Sequence, residues 1–283
     1  VDFRLVKLTA ILGRSGCGKS TLLRLIDGTK DVPDAGEIIM SDGWRCALLS
    51  PDPYVITWTS VERNVAMAAG AGRTPEERLE LARRLMRLVQ LEDYADMTPL
   101  DLSTGMRQRL GLARVLASQA QVLLMDEPFG ALDPVTRGAL QAEMTRIHRI
   151  LGRTIVLVTH DIDEALRLAD HLVLMDHGEV VQQGSPLELL TWPKNDFVRE
   201  FFGRSELGVR LLSLRTVSDY MRREAAPVSG EPLQAQMSLR DALSAFVARQ
   251  CEVLPVSDAR GAPCGTLHFR DLLAGEVTRE GTA

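Results

Sequence analysis

The chain has 283 residues, of which 45% are hydrophobic and 25% are charged. These proportions are typical of a folded globular protein and exclude collagen-like, low-complexity and wholly disordered chains. The net charge of −5 argues against a general nucleic-acid binder, because such proteins neutralise phosphates with an excess of basic residues. No apolar run approaches the roughly 18 residues of a membrane-spanning helix. The four cysteines lie far apart in the sequence, which favours reduced thiols over a disulfide framework.

The first elements in chain order are a strand, a glycine-rich turn and a helix. Residues 8–12 are apolar and predict a buried strand, and residues 19–26 predict the helix. Short strands are predicted at 36–40 and 47–49. From residue 60 to residue 120 the apolar residues recur every three or four positions, which predicts a block of helices.

Beyond this block, strands alternate with helices. Strands are predicted at 121–125, 154–159, 172–175 and 179–181, and helices at 134–151 and 161–169. Such alternation implies right-handed crossovers and a largely parallel sheet, so the fold class is α/β. Because the helical block interrupts the alternation, we expect it to form a lobe of its own.

The last part of the chain predicts a second, smaller α/β module. The pattern predicts a helix at 215–222, a second helix with Leu239, Leu243 and Phe246 on one face, and a third helix at 271–274. Strands are predicted between the second and third helices, at 252–256 and 264–268. A module of about 70 residues is marginally stable alone, so we expect it to pack against a partner copy.

A glycine-rich segment after the first strand has the pattern G-x-x-x-x-G-K-[ST], which predicts phosphate binding. It comprises Gly13, Arg14, Ser15, Gly16, Cys17, Gly18, Lys19 and Ser20, with Thr21 following. The glycines allow backbone N–H groups to surround phosphate oxygens, and the next helix adds its dipole. Lys19 is expected to contact the β- and γ-phosphates, and the Ser20 hydroxyl to bind Mg²⁺.

Two acidic residues follow a predicted buried strand, at the sheet edge where parallel sheets bind ligands. We expect Asp126 to hold Mg²⁺ and Glu127 to orient and deprotonate an attacking water. His160 ends another predicted core strand, where its imidazole could reach a γ-phosphate. A strand that ends in solvated acids and a structural histidine are the alternative readings.

The motifs in their order resemble those of ABC ATPases. Residues 102–106 (Leu102, Ser103, Thr104, Gly105 and Met106) resemble the signature motif, residues 131–133 the D-loop with Asp133, and His160 the switch histidine. The resemblance covers residues 5–203. It implies a P-loop NTPase core at 1–203 with a helical subdomain at about 59–120. It also implies a head-to-tail dimer in which each ATP contacts the Lys19 loop of one subunit and Ser103 and Gly105 of the other.

Residues 197–221 and 237–273 resemble the tail of the ATPase subunits of bacterial importers for osmoprotectants such as glycine betaine, choline, carnitine and proline. In that group cystathionine-β-synthase-type (CBS) repeats follow the ATPase domain, and 204–283 reads as a linker and one such repeat. The resemblance implies ATP and Mg²⁺ as cofactors and no nucleic acid as a partner. It also implies a homodimer that docks on membrane permease subunits at the cytoplasmic side of the inner membrane, served indirectly by an extracytoplasmic solute-binding protein.

The sequence departs from the family pattern at several positions. Pro51 stands where the family has the Q-loop glutamine, and we hypothesise that Asp52 replaces it as a Mg²⁺ ligand. Thr104 replaces the first signature glycine, which leaves Gly105 for the closest backbone approach. Twelve residues precede Gly13, and Phe3 lies too close to stack on adenine. We therefore expect either that sequence upstream of Val1 is missing or that ATP is bound mainly through its phosphates.

Three alternatives remain from the sequence. A nitrate, sulfonate or taurine importer ATPase is similar around Trp58 and residues 105–109. A degenerate subunit that binds ATP for regulation and hydrolyses little would fit Pro51, although Lys19, Glu127 and His160 oppose it. A soluble ABC ATPase of DNA repair or translation would usually carry a coiled-coil insert or two cassettes, which this chain does not.

Overall fold

The computed structural model describes residues 7–29, 37–40, 43–70, 72–203, 206–223 and 230–273. The strands are β1 (Leu8–Gly13), β2 (Cys46–Leu49), β3 (Val122–Asp126), β4 (Thr154–Val158), β5 (His171–Asp176), β6 (Glu179–Gly184), β7 (Leu233–Gln234), β8 (Val253–Ser257) and β9 (Pro263–His268). The helices are α1 (Lys19–Asp27), α2 (Val61–Ala68), α3 (Pro75–Leu88), α4 (Thr104–Ala117), α5 (Pro134–Leu151), α6 (Ile162–Leu168), α7 (Pro186–Thr191), α8 (Asp196–Phe201), α9 (Leu207–Leu214), α10 (Val217–Tyr220), α11 (Leu239–Arg249) and α12 (Phe269–Leu273).

The chain forms two compact units, Val1–Ser185 and Pro186–Ala283. This division comes earlier than the expected end of the ATP-binding domain at residue 203. Helix α9 packs on α7 within the second unit, so α7 belongs with the elements that follow it. The extent of the ATP-binding domain as a functional unit, 1–203, stays a prediction.

The first unit is built on a six-stranded sheet with the order β2-β3-β4-β1-β5-β6. All neighbours are parallel except β5 and β6, which are antiparallel. Strands β1, β3 and β4 are buried along their whole length, because helices cover a parallel sheet on both faces and each strand becomes a continuous apolar run. The sequence-based prediction of an α/β fold with a largely parallel sheet is confirmed.

The core of this sheet includes Ile11, Leu124 and Val156 from three adjacent strands, with Leu23 of α1 packed on them. Because the strands are parallel, their carboxyl ends share one edge, and the segments that follow β1, β3 and β4 meet there. Those segments contain the glycine-rich phosphate loop (residues 13–21), the acidic pair Asp126 and Glu127, and His160.

Helices α2, α3 and α4 all lie between residues 61 and 117, within the block whose periodicity predicts helices. Each has a polar residue at its start that accepts a backbone hydrogen bond: Ser60 for α2, Thr74 for α3 and Ser103 for α4. Thr74 and Glu77 form a reciprocal capping box.

Two predicted elements were wrong. Residues 37–40 have no regular structure, and Gly36 lies outside the described residues. Ile39 in that segment is 84% exposed, so its apolar pattern does not reflect a buried strand. The helix predicted at 215–222 is only the single turn α10, because the backbone of Arg222 extends and pairs with Thr266.

The second unit contains a three-stranded sheet with the order β7-β8-β9. Strands β7 and β8 are parallel, as expected for strands joined through a helix, here α11, and β8 and β9 are antiparallel. Phe246 of α11, Leu254 of β8 and Leu267 of β9 form its buried core. The predicted helix at 271–274 begins two residues earlier, and Ala274 lies outside the described residues.

Candidate nucleotide-binding site

The loop between β1 and α1 has the backbone that phosphate binding requires. Gly16 and Gly18 have φ angles of 78° and 101°, which favour glycine, and Gly18 is the N-cap of α1. A Cβ at Gly13 would lie 2.3 Å from the carbonyl oxygen of Met175 in β5. The segment Arg14–Ser15–Gly16 is exposed and Cys17 is buried, so the loop faces outward from a fixed base. Thr21, in the first turn of α1, is also exposed.

The ammonium group of Lys19 lies inside this loop. Its Nζ donates hydrogen bonds to the carbonyl oxygens of Gly13 at 2.8 Å and Arg14 at 2.9 Å. The residue is only 7% exposed. Because its two oxygen acceptors are neutral carbonyls, the ammonium group is placed to attract an anion, and the loop backbone surrounds it.

Asp126 lies at the end of β3, beside the start of α1. It is 3% exposed, and its Oδ1 has no hydrogen-bond partner. Burial raises the pKa of its carboxyl group, while a hydrogen bond with the Ser20 side chain opposes that rise. An unpartnered buried carboxylate oxygen next to a hydroxyl is a donor set that suits Mg²⁺, which prefers oxygen ligands.

Glu127 and His160 face each other across the ends of β3 and β4. The Nδ1 of His160 lies 3.1 Å from the Oε1 of Glu127. Glu127 has a φ of 50°, which is uncommon for a non-glycine residue, and its N–H donates to the carbonyl of Val158 at 2.9 Å. The strand ladder and this turn together orient the carboxylate toward the histidine.

The turns that carry His160 and Glu127 are held by residues that the sequence analysis missed. Thr159 donates its hydroxyl to the Oε2 of buried Glu164 at 2.5 Å and accepts a hydrogen bond from the backbone N–H of Asp161 at 3.0 Å. Gln108 of α4 donates to the carbonyl of Glu127 at 3.4 Å. The sequence could have indicated Glu164, because it is an acidic residue on the apolar face of a predicted helix. No local sequence pattern indicates the role of Gln108.

The signature segment begins α4 and contacts the D-loop. Leu102 is buried, whereas Ser103 and Thr104 are exposed. The Oγ of Ser103 accepts a hydrogen bond from the backbone N–H of Met106 at 3.3 Å. A Cβ at Gly105 would lie 3.0 Å from the carbonyl of Ala131, so the two segments approach closely.

Asp133 caps the next helix, α5. Its Oδ1 accepts hydrogen bonds from the backbone N–H groups of Val135 at 3.1 Å and Thr136 at 3.0 Å. These hydrogen bonds, of which those with Thr136 are the strongest influence, lower the pKa of Asp133. The carboxylate therefore remains charged next to a helix N-terminus.

Asp52 follows β2 at the same edge of the sheet as Asp126. Leu49 of β2 pairs with Met125 of β3, and Asp126 and Glu127 come directly after Met125. Asp52 is exposed, and its backbone carbonyl accepts a hydrogen bond from Ser50 at 2.5 Å. Its carboxylate is thus available for a ligand.

Comparisons with known proteins agree with this geometry. A family model described as ABC transporter matches residues 1–130. The glycine betaine uptake system ATP-binding protein YehX of Escherichia coli K12 is 56% identical over 289 aligned positions, covering 96% of this chain and 92% of that protein. The glycine betaine/carnitine/choline transport ATP-binding protein OpuCA of Bacillus subtilis is 38% identical, and the match covers 83% of this chain and 65% of OpuCA.

Solved structures of ATP-binding cassette proteins also match this chain. The dimeric ATP-binding cassette MJ0796 bound to ADP and Pi has a TM-score of 0.60 and 27% identity, over 66% of this chain and 88% of that chain. The cbiO1 protein of Clostridium perfringens, part of the ABC transporter complex cbiONQ, has a TM-score of 0.59 and 28% identity, over 76% and 86% of the two chains.

The chain therefore belongs to the ABC transporter family, as an ATP-binding subunit with the ABC ATPase fold. The match to YehX extends over almost the whole of both chains, so YehX is a useful relative from which to infer the function of this chain. None of the helices among the described residues is both long and apolar enough to cross a membrane.

Proposed function

We propose that this chain hydrolyses ATP to power the import of an osmoprotectant of the glycine betaine, choline, carnitine or proline type. The observation that carries the proposal is the 56% identity to a glycine betaine uptake ATP-binding protein over 96% of the chain. The nitrate, sulfonate or taurine importer that Trp58 and residues 105–109 suggest has less support.

The phosphate loop and Lys19 bind the triphosphate. The backbone N–H groups of residues 14–18 donate to phosphate oxygens, and Lys19 neutralises the β- and γ-phosphate charge. Ser20 and Asp126 hold Mg²⁺, with Asp52 as a third oxygen donor in place of the missing glutamine. The metal supplies charge neutralisation of the phosphates when it is bound.

Glu127 and His160 perform the chemical step. The carboxylate of Glu127 orients water and accepts its proton as the water oxygen attacks the γ-phosphorus and the bond to the ADP oxygen breaks. His160 holds the carboxylate in place through its Nδ1 and presents its other ring nitrogen to the γ-phosphate.

Two subunits close over two nucleotides in this proposal. The exposed Ser103 and the adjacent Gly105 of one subunit contact the phosphates that are bound to the Lys19 loop of the other. Loss of the γ-phosphate removes that bridging contact, so the dimer opens. The solved dimer of MJ0796, a relative by fold and sequence, supports this arrangement.

The permease would dock near the helical subdomain. Tyr54 and Trp58 are 78% and 80% exposed, which is unusual for large aromatic residues. Tyr54 also lines a cleft of about 350 Å³, together with Pro53 and Arg114. This surface would receive the cytoplasmic loops of the permease and locate the subunit at the cytoplasmic side of the membrane. The solute-binding protein would act on the other side of the membrane.

The C-terminal module would regulate transport as a single CBS-type repeat. The order β7-α11-β8-β9-α12 and the buried core of Phe246, Leu254 and Leu267 support a folded module that could pair with its copy across the dimer.

Substitution Glu127→Gln tests the proposed function. We expect loss of at least 100-fold in the Mg-ATPase rate, because removal of a positioned general base costs roughly 10²–10⁴-fold. Cells that produce the variant with the permease should not accumulate labelled glycine betaine. Glu179→Gln, an exposed acid on β6, is the matched control and should retain both activities. An unchanged rate for Glu127→Gln would contradict the proposal, and uptake of taurine instead of glycine betaine would overturn the substrate assignment.

A second substitution tests the metal ligand. Asp52→Ala should reduce the Mg-dependent ATPase rate and raise the Mg²⁺ concentration needed for half-maximal rate, because an oxygen donor is lost. A rate and Mg²⁺ dependence equal to those of the unmodified chain would show that Asp52 does not replace the glutamine.

A further inference from the structure

A second cleft in the first unit lies away from the nucleotide site, with α3 and α5 contributing to its walls. Its volume is about 640 Å³, which is within the range of small-molecule sites. Five arginines line it, namely Arg73, Arg84, Arg87, Arg146 and Arg153, together with one carboxylate, Glu143. The local charge is therefore strongly positive, although the chain as a whole is acidic.

Most of these guanidinium groups have no acidic partner among the described residues. Arg146 pairs with Glu143 at 2.7 Å. Arg73 donates to the carbonyl of Ala69 at 2.7 Å, and Arg153 donates to the carbonyl of Leu116 at 3.3 Å. A guanidinium has five N–H donors, so these two arginines retain donors for a ligand.

Arg73 and Arg153 are both half-buried and close enough to repel each other. Burial, and then the charge of Arg73, lower the pKa of Arg153. Like charges at a partly desolvated position repel each other more strongly than they do in water. An anion between them would relieve the repulsion and could form bidentate hydrogen bonds.

The floor of the cleft is apolar. Leu116 and Ile147 are buried there, and Leu81, Leu85 and Leu88 form a half-buried stripe along one face of α3. Arg73 and Arg84 also line a neighbouring depression that contains Glu77 and Glu80. These two carboxylates do not line the cleft itself. The cleft thus combines a confined cationic group with an aliphatic surface.

We propose that this cleft is a binding site for a small organic anion, whose phosphate or carboxylate contacts Arg73 and Arg153 and whose aliphatic body lies on the leucines of α3. None of its lining residues belongs to the nucleotide site. The inference therefore does not depend on the proposed transport function and stands or fails separately from it.

Octyl phosphate, octyl glucoside and inorganic phosphate are suitable probes, because they have tail and charge, tail alone and charge alone. Isothermal titration calorimetry of the full chain would compare them below the micelle concentration, with a non-hydrolysable ATP analogue and Mg²⁺ present to fill the phosphate loop. We expect octyl phosphate to bind at least tenfold more tightly than octyl glucoside or inorganic phosphate. Equal binding of octyl glucoside, or no binding of octyl phosphate at millimolar concentration, would overturn the proposal.

Variants locate the binding. Arg153→Gln should weaken octyl phosphate binding about tenfold or more, because Arg153 contacts the anion. Arg84→Gln should weaken it about threefold, because Arg84 contributes only to the positive charge of the cleft. Arg84 is an exposed residue of α3, so the second variant tests the site without disturbing a buried hydrogen bond. Arg83→Gln is the matched control, since Arg83 lies on the same helix but pairs with Glu62 outside the cleft at 2.7 Å. Equal affinities for Arg84→Gln, Arg153→Gln and Arg83→Gln would show that the anion binds elsewhere.

Discussion

Two consecutive acids, Asp126 and Glu127, have different environments at the end of β3. Asp126 is 3% exposed with a raised pKa that results mainly from burial. Glu127 turns away from the strand through a φ of 50° and meets His160 at 3.1 Å. Backbone strain at a non-glycine residue persists only where the surrounding structure enforces it. The turn at Glu127 therefore places two neighbouring carboxylates in different surroundings. Asp126 is suited to bind a metal ion, and Glu127 is suited to orient a water molecule.

Glu164 predicts a pH dependence of stability. Burial is the main cause that raises its pKa from 4.5 to about 7, and the hydrogen bond from Thr159 only partly opposes it. Between these two values the folded state binds more protons than the unfolded state. The free energy of unfolding therefore falls as pH rises from about 4.5 to about 7, by at most about 1.4 kcal/mol per pH unit from this group.

Substitution Glu164→Gln removes this titration and keeps an oxygen that accepts the Thr159 hydroxyl. We expect the variant to be more stable than the unmodified chain at pH 8, and the two to converge near pH 5. Urea unfolding at several pH values measures the difference. Parallel stability curves for the two proteins would mean that Glu164 titrates normally.

At the scale of elements, α4 connects the signature segment to the sheet. Ser103 caps its start, and Gly111 lies in its middle against β2 and the loop after β2. A Cβ at Gly111 would lie 2.4 Å from the Cβ of Pro53 and 2.8 Å from the Cδ1 of Leu49. The helix can approach this closely only because residue 111 has no side chain.

Gly111→Ala should lower the free energy of unfolding by roughly 1–3 kcal/mol, because overpacking outweighs the better helix propensity of alanine. Gly138→Ala in α5 is the matched control, since no atom lies within 4 Å of its new Cβ. That variant should gain about 0.4–1 kcal/mol. Chemical denaturation of both variants checks the signs, and a stabilised Gly111→Ala would contradict the close packing of α4.

Local sequence patterns predicted the elements that are buried and regular. Residues 8–12 and 154–159 are continuous apolar runs between turn signals, and both form central strands. Residues 38–40 show why such a prediction fails at a surface. Ile38, Ile39 and Met40 are apolar yet exposed, and no strand among the described residues pairs with them. The arginine-lined cleft was not predictable, because Arg73, just before α3, and Arg146, in α5, are far apart in sequence.

At the scale of the whole chain, the order of motifs carries most of the functional information. The acidic pair Asp126 and Glu127 follows the phosphate loop by more than 100 residues, and His160 follows Glu127 by a further 33. The parallel sheet nevertheless brings all three to one edge. The signature serine is instead exposed at the start of α4, and its hydrogen bonds lie within that helix. An exposed serine of this kind is free to contact a phosphate on a second subunit.

Dimer formation by the Glu127→Gln variant tests this account most directly. Analytical ultracentrifugation should show a dimer when Mg²⁺ and ATP are present and a monomer when ADP replaces ATP, because the unhydrolysed γ-phosphate joins the two subunits. Adding Ser103→Arg to that variant should prevent the dimer. A sedimentation coefficient that remains that of a monomer at saturating ATP would contradict the shared nucleotide site.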